Sequence, residues 1–149
     1  MANQEFKVTT SLKQGLMVEA ETRGFKVIMD EPDQMGGSNQ GMTPVELLLA
    51  SLGGCISITI AAFSKAAHVE LKDVKVHVSG DLDPDGFMGI NKEVRKGFSA
   101  VRYEVEVVTD APEERVQKLM QMVEDRCPVS DTLKGVGVTG NVKVKVSKG

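Results

Sequence analysis

The stretch Thr43–Cys55, TPVELLLASLGGC, predicts the start of a long buried helix and ends on one of only two cysteines in the chain. Thr43 can cap the helix, and Pro44 suits the first helical position. Glu46 stands three residues after the cap, which completes the pattern of a capping box. We expect the helix to continue to about Ala67.

Two glycines, Gly53 and Gly54, directly precede the cysteine inside this helix. Each glycine within a helix costs about 1 kcal/mol relative to alanine. One interpretation is that another backbone, a partner helix or a ligand approaches closely at this turn. The other is a packing notch at a helix crossing, with Cys55 as a small buried apolar residue. The spacing leaves both interpretations open.

The segment Leu47–Ser64 contains no charged residue, which raises the question of a membrane span. Its length is at the lower edge for crossing a bilayer, and it is interrupted by serine, threonine and glycine. No cluster of Lys and Arg flanks it. A helix that is apolar nearly all round is otherwise buried in a protein core. We therefore expect a core helix and no membrane association.

Composition limits the remaining function classes. The chain has 149 residues with 18 Lys and Arg against 21 Asp and Glu, and this acidic balance argues against a nucleic-acid binder. The length suits a single domain over residues 1–149. Residues 1–10 show neither a basic region nor an apolar region of a secretory signal, so we expect a cytoplasmic protein. In that compartment a cysteine pair is more often catalytic than structural.

Alternating apolar and polar residues predict strands on both sides of the helix. Two or three antiparallel strands are expected in the first 30 residues, followed by a Gly- and Pro-rich loop over residues 30–43. Later strands are predicted over residues 73–79, 100–109 and 142–146. The connection over residues 80–97 is long enough for a mobile flap or a distorted hairpin. The fold class is α+β.

A second helix is predicted to carry the other cysteine. The sequence from Asp110 to Glu113 has the pattern of a second capping box. The apolar residues that follow form one stripe, which Cys127 continues: Val116, Leu119, Met120 and Val123. Pro128 ends this helix, so Cys127 can lie at the amino end of a further turn over residues 129–133, where backbone N–H groups favour a thiolate. The alternative is a buried cysteine at a helix end.

Because both cysteines fall on buried helical faces, a contacting redox pair is one consistent interpretation.

Together, TPVELLLASLGGC at residues 43–55 and EDRCPVSDTL at Glu124–Leu133 resemble the OsmC/Ohr family, the osmotically inducible and organic-hydroperoxide-resistance proteins. The resemblance covers nearly the whole chain and includes the order of strands, Cys helix, strands, Cys-Pro helix and final strand. It implies an OsmC-like fold, with antiparallel sheets wrapped around central cysteine-bearing helices in an intertwined homodimer.

The resemblance also implies a thiol-dependent peroxidase that acts on organic hydroperoxides or H₂O₂ without a cofactor or metal. Cys55 would attack the hydroperoxide and become a sulfenic acid. Cys127 would then condense with it to a disulfide, which a dithiol reduces.

Characterised family members activate the thiol with an arginine before the Cys helix and a glutamate directly after the helix-starting proline. Here Val45 follows the proline, and Glu46 is the catalytic candidate, with its role in the cap as the alternative. No arginine lies between Gly24 and Pro44. Arg23 is the nearest one, and it is more often a solvated charge at a strand edge.

Three further residues are weaker candidates. Arg126 adjoins Cys127 and could lower its pKa, or it is an exposed cation at a helix end. His68 and His77 are interpreted as solvated side chains, and their spacing does not predict a zinc site. The departures from the family pattern favour a second function class, a non-enzymatic OsmC-like protein that binds a small ligand or senses thiols. The cysteine pair favours the peroxidase.

Overall fold

The computed structural model describes residues 2–147. The chain divides into two compact units, Met1–Leu48 and Leu49–Gly149, and each is described by itself. The expectation of a single domain over residues 1–149 stays a prediction.

The amino-terminal unit contains a three-stranded antiparallel meander, in the order β1 (Thr9–Gln14), β2 (Met17–Thr22) and β3 (Phe25–Met29). Tight turns connect neighbouring strands, and a positive φ at Gly15 and at Gly24 supports them. The strands predicted for the first 30 residues are therefore confirmed.

The loop after β3 is organised by one buried carboxylate. Asp30 is 1% exposed and accepts hydrogen bonds from the Ser38 hydroxyl at 2.6 Å and from three backbone N–H groups. The Ser38 hydroxyl is the largest of the influences that lower the pKa of Asp30. The sequence predicted a loop here but not this anchor.

The helix α1 (Pro44–Phe63) runs from the first unit into the second. It begins as predicted: the Glu46 carboxylate accepts from the Thr43 N–H at 2.9 Å, and the Thr43 hydroxyl accepts from the Glu46 N–H at 3.2 Å. The helix ends at Phe63, so the predicted end at Ala67 was wrong. The residues that follow form turns, and His68 adopts the left-handed conformation (φ 56°), which a continuing helix does not allow.

The second unit is built on a three-stranded sheet in the order β4 (Asp73–Asp81), β5 (Ala100–Thr109) and β6 (Gly137–Val146). Strands β4 and β5 are antiparallel, whereas β5 and β6 are parallel. The parallel pair differs from the antiparallel sheets we expected. It arises because α3 (Glu113–Arg126) and α4 (Pro128–Thr132) form a crossover between these two strands.

The core of this unit lies between the helices and the sheet, and α3 contributes the stripe that the sequence predicted. The buried apolar residues are Leu52, Ile56, Ile60, Ala67, Val69, Phe98, Val101, Val105, Val107, Val116, Leu119, Met120, Val123 and Cys127. Both cysteine-bearing segments therefore pack on one side of the sheet.

Of two local predictions in this unit, the structure contradicts one and confirms the other. No second capping box forms: the N-cap of α3 is Pro112, which makes no side-chain hydrogen bond, and Asp110 pairs with Lys72 at 3.5 Å instead. The 80–97 connection joins the antiparallel neighbours β4 and β5, which pair from Asp73 with Val108 to Asp81 with Ala100, so the alternative of a distorted hairpin is confirmed. It contains the one-turn helix α2 (Pro84–Met88), and the Asp83 carboxylate caps this helix by accepting from the Asp85 N–H at 3.0 Å.

Candidate functional site

The two thiols are in direct contact. The Cys127 thiol donates to the Cys55 sulfur across 3.0 Å, although the residues lie 72 positions apart. Neither cysteine forms a disulfide. The contacting pair that the sequence suggested is confirmed.

Gly53 explains how α1 comes close to the sheet. A Cβ atom at Gly53 would lie 3.1 Å from the Val78 Cγ2 atom of β4, which is tighter than ordinary van der Waals contact. A Cβ atom at Gly54 would have no neighbour within 4 Å. The packing-notch interpretation therefore holds for Gly53, against a strand rather than a helix, while Gly54 faces open space.

Cys127 lies at the junction of two helices. Its N–H still donates to the Val123 carbonyl at 3.0 Å, as in the last turn of α3, but its backbone is extended (φ −73°, ψ 110°) and it is the N-cap of α4. This confirms its expected position at the amino end of a further turn. Pro128 suits the first position of that turn.

Burial controls the ionisation of Cys127. Its side chain is 3% exposed, and desolvation is the main cause that raises the pKa of its thiol, followed by the hydrogen bond to Cys55. The backbone N–H groups of Ser130 and Val129 act in the opposite direction. The expected influence of the helix end is therefore present but weaker than burial. At neutral pH Cys127 is a thiol that donates toward Cys55, which is the more accessible of the two sulfurs.

Tyr103 of β5 packs against the core that includes Cys127, and it was not identified as a site residue from the sequence. Burial raises the pKa of its phenol, and the charges of Glu124 and Cys127 add to the effect. The ring lies against Gly140 of β6, where a Cβ atom would overlap the phenol. The sequence did contain a sign of this position. The only tyrosine in the chain lies on the same inward face of β5 as the buried valines.

The chain is similar to proteins of a known family. Residues 37–143 match the family model described as OsmC-like protein. The chain belongs to the OsmC-like protein family. A relative named hydroperoxide reductase from Mycoplasma genitalium is 22% identical over 148 residues, which cover 97% of this chain and 96% of the relative.

Two solved structures share the OsmC-like fold. The OsmC-like protein from Mycoplasma pneumoniae has a TM-score of 0.82 and 20% identity, covering 99% of this chain and 100% of that one. The organic hydroperoxide resistance protein OsmC from Legionella pneumophila, also described as a predicted redox protein, has a TM-score of 0.64 and 20% identity over the same shares. These likenesses confirm the expected α+β, OsmC-like fold.

In this OsmC-like chain, the two candidate activating residues of the amino-terminal unit have local partners. The Glu46 carboxylate is engaged by Thr43, whose hydrogen bonds lower the pKa of that carboxyl. Arg23 lies in the turn between β2 and β3 with φ 53°, and its guanidinium is 5.3 Å from the centre of the Phe25 ring. The role of Glu46 in the cap is thus confirmed, and its catalytic role stays a prediction.

The remaining candidates of the OsmC-like chain lie in the second unit. Arg126 is exposed at the end of α3, as the alternative interpretation expected, and its guanidinium also stacks over the Phe63 ring at 4.6 Å. His77 pairs with Glu106 at 2.9 Å, on the exposed face of the sheet. Within residues 2–147, no group of three or more His, Cys, Asp or Glu side chains is arranged to hold a metal ion.

Proposed function

We propose that the chain is a thiol-dependent peroxidase that reduces small organic hydroperoxides or hydrogen peroxide through Cys55 and Cys127. The observation that carries this proposal is the 3.0 Å separation of two free sulfurs contributed by different helices. The names of the Mycoplasma genitalium relative and of the Legionella pneumophila structure support the reaction class.

In the first step, the Cys55 thiolate attacks the terminal oxygen of the hydroperoxide. An S–O bond forms and the O–O bond breaks, so the sulfur loses two electrons and becomes a sulfenic acid. The alkoxide leaves and takes up a proton to give the alcohol, or water when hydrogen peroxide is the substrate. The greater exposure of Cys55 favours it over the buried Cys127 for this role.

In the second step, Cys127 attacks the Cys55 sulfur. The S–S bond forms, and the sulfenic hydroxyl leaves as water with the proton of the Cys127 thiol. Two protein thiols and one hydroperoxide thus give a disulfide, an alcohol and water. An external dithiol then reduces the disulfide by exchange, which restores both thiols and closes the cycle.

The contact between the thiols also assigns a donor and an acceptor: the Cys127 thiol donates to the Cys55 sulfur. Because its pKa is raised, Cys127 keeps its proton at neutral pH and remains the donor.

Consumption of tert-butyl hydroperoxide with dithiothreitol tests the proposal in the wild type, Cys55→Ser and Cys127→Ser. We expect full turnover only in the wild type and none in Cys55→Ser. Treated with hydroperoxide in the absence of dithiothreitol, Cys127→Ser should react once and accumulate sulfenic and then sulfinic acid at Cys55, which mass spectrometry detects. A wild type that consumes hydroperoxide no faster than Cys55→Ser would overturn the proposal.

A second candidate function is a non-enzymatic OsmC-like protein that senses thiols or binds a small ligand. The engagement of Glu46 in the helix cap and the lack of an arginine between Gly24 and Pro44 favour it. Such a protein would oxidise once and would not turn over with a dithiol. The same assay separates the two functions.

We further propose that the chain acts as a homodimer in the cytoplasm, where dithiols are kept reduced. Among the described residues, α1 is the one helix long and apolar enough to cross a membrane, and only 22% of its most apolar window is buried. Ile58 of this helix is 71% exposed. An apolar surface of this kind marks a contact site, and a second copy of the chain is the partner we propose for it.

A further inference from the structure

Arg126 and Phe63 join the ends of the two cysteine-bearing helices. Phe63 is the last residue of α1, and Arg126 is the last residue of α3. The guanidinium carbon lies 4.6 Å from the ring centre, within the range of a cation–π interaction. The ring itself is partly buried against the core cluster, so it offers a fixed surface.

This contact and the thiol contact are made by consecutive residues. Arg126 contacts α1 through Phe63, and Cys127 contacts α1 through Cys55. The backbone leaves the helical conformation at Cys127. Helix ends of this kind open more readily than helix centres. Buried residues of α1 and α3 already share one core, and the Arg126–Phe63 contact adds an attachment directly beside Cys127.

We propose that the Arg126–Phe63 contact positions Cys127 for reaction with Cys55, so that Arg126 is a positioning residue of the thiol pair. Disulfide formation requires the sulfurs to close from 3.0 Å to about 2.05 Å with a defined torsion angle. Such a reaction is sensitive to displacements on the order of 1 Å. A contact that holds the last turn of α3 on α1 raises the effective concentration of one thiol at the other.

The inference rests on the redox role of the pair, but its test requires no hydroperoxide. We would equilibrate the protein with reduced and oxidised glutathione, where each protein disulfide formed converts one oxidised glutathione into two reduced molecules. The equilibrium constant measures how well the fold brings the two thiols together. A wild type that fails to consume hydroperoxide would overturn the proposed function and leave this measurement intact.

Four variants separate the parts of the contact. Arg126→Met keeps the apolar stem and removes the charge, and Arg126→Lys keeps the charge without the planar group. Phe63→Leu removes the ring and keeps an apolar side chain. Lys118→Met is the matched control, since it removes a cation from an exposed position of the same helix.

We expect Arg126→Met and Phe63→Leu each to lower the equilibrium constant about two- to fivefold, with Arg126→Lys between them and the wild type. The double variant should lose no more than the larger single loss, because both changes break one contact. Lys118→Met should match the wild type. An unchanged constant in Arg126→Met, even with a lower thermal midpoint, would overturn the proposal, because it would show a purely structural contact.

Discussion

The thiol of Cys127 illustrates how two local effects compete at one residue. It stands at the amino end of α4, where N–H groups favour an anion, yet it is 3% exposed and its pKa is raised. Burial dominates because the free energy lost when a thiolate leaves water exceeds the stabilisation that the N–H groups of a one-turn helix provide. A thiol kept protonated in this way is a poor nucleophile, which suits the resolving role proposed for Cys127.

The raised pKa of Cys127 predicts a pH dependence of stability. In the unfolded chain the thiol ionises near pH 8.5, as thiols ordinarily do. The folded protein keeps its proton to higher pH and therefore binds more protons above that value. The free energy of unfolding should fall as pH rises through this window, by at most about 1.4 kcal/mol per pH unit for a single group.

Urea unfolding of the reduced protein between about pH 8 and 9.5 would measure this slope. This interval lies below the pH at which a tyrosine ordinarily ionises, so Tyr103 should not contribute. Cys127→Ser should show a shallower slope than the wild type, and Tyr103→Phe should not. Equal slopes in the wild type and Cys127→Ser would contradict the prediction.

At the scale of the residue, the sequence predicted the burial of side chains whose position follows from the spacing within one helix or strand. Cys127 continues the apolar stripe of α3, so its burial was visible in the spacing. The stacking of Arg126 on Phe63 and the hydrogen bonds of Asp30 were not predictable, because each depends on a partner set by the tertiary fold or by a loop conformation. Polar residues with distant partners leave no periodic pattern.

At the scale of the element, the start of α1 combines a cap with a candidate catalytic group. Thr43→Ala should lower the free energy of unfolding by about 1 kcal/mol, since it removes the hydroxyl that accepts from the Glu46 N–H. Urea unfolding measures this loss. Glu46→Gln should cost less, because its amide oxygen can still accept from the Thr43 N–H.

The same pair of variants tests the role of Glu46 in the peroxidase. If its function is to cap the helix, Glu46→Gln should keep at least about half of the hydroperoxide turnover. A loss of roughly a hundredfold, with stability nearly unchanged, would instead assign Glu46 to the chemistry.

The close packing of α1 on β4 gives a second prediction for this element. Gly53→Val should destabilise the protein by about 1–3 kcal/mol, because the new side chain collides with Val78. Adding Val78→Ala to Gly53→Val should restore part of the loss by making room. Urea unfolding of Gly53→Val, Val78→Ala and the double variant completes a double-mutant cycle. If the losses in free energy of unfolding are additive, the collision is contradicted.

Elements with a strong internal pattern were predictable, and those defined by pairing were not. The alternating valines at the end of β6 predicted a strand over 142–146, but its first half, with Gly137 and Gly140, has no alternation. This half is a strand because it lies beside β5. The capping box predicted at Asp110 failed for a different reason. The residue types fit the motif, but the helix begins later, at Glu113.

At the scale of the whole molecule, the proposed homodimer can be tested at exposed apolar side chains. Ile58 on α1 and Phe25 on β3 are 71% and 65% exposed. We expect the wild type to sediment as a dimer and Ile58→Glu to weaken association at least about tenfold, because it adds a charge to an apolar contact. Lys118→Glu, a charge change on α3, should leave the dimer intact. A monomeric wild type would contradict the prediction.

The separation of the two cysteines along the chain has a consequence for heat resistance. Joining Cys55 to Cys127, which lie 72 positions apart, would enclose the segment between them, including all of β4 and β5, in a covalent ring. Closing a ring of that size restricts the unfolded chain and stabilises the fold by about 4 kcal/mol in the chain-entropy account. The oxidised protein would then unfold at a higher temperature than the reduced one, so its melting temperature would show whether the two thiols are oxidised.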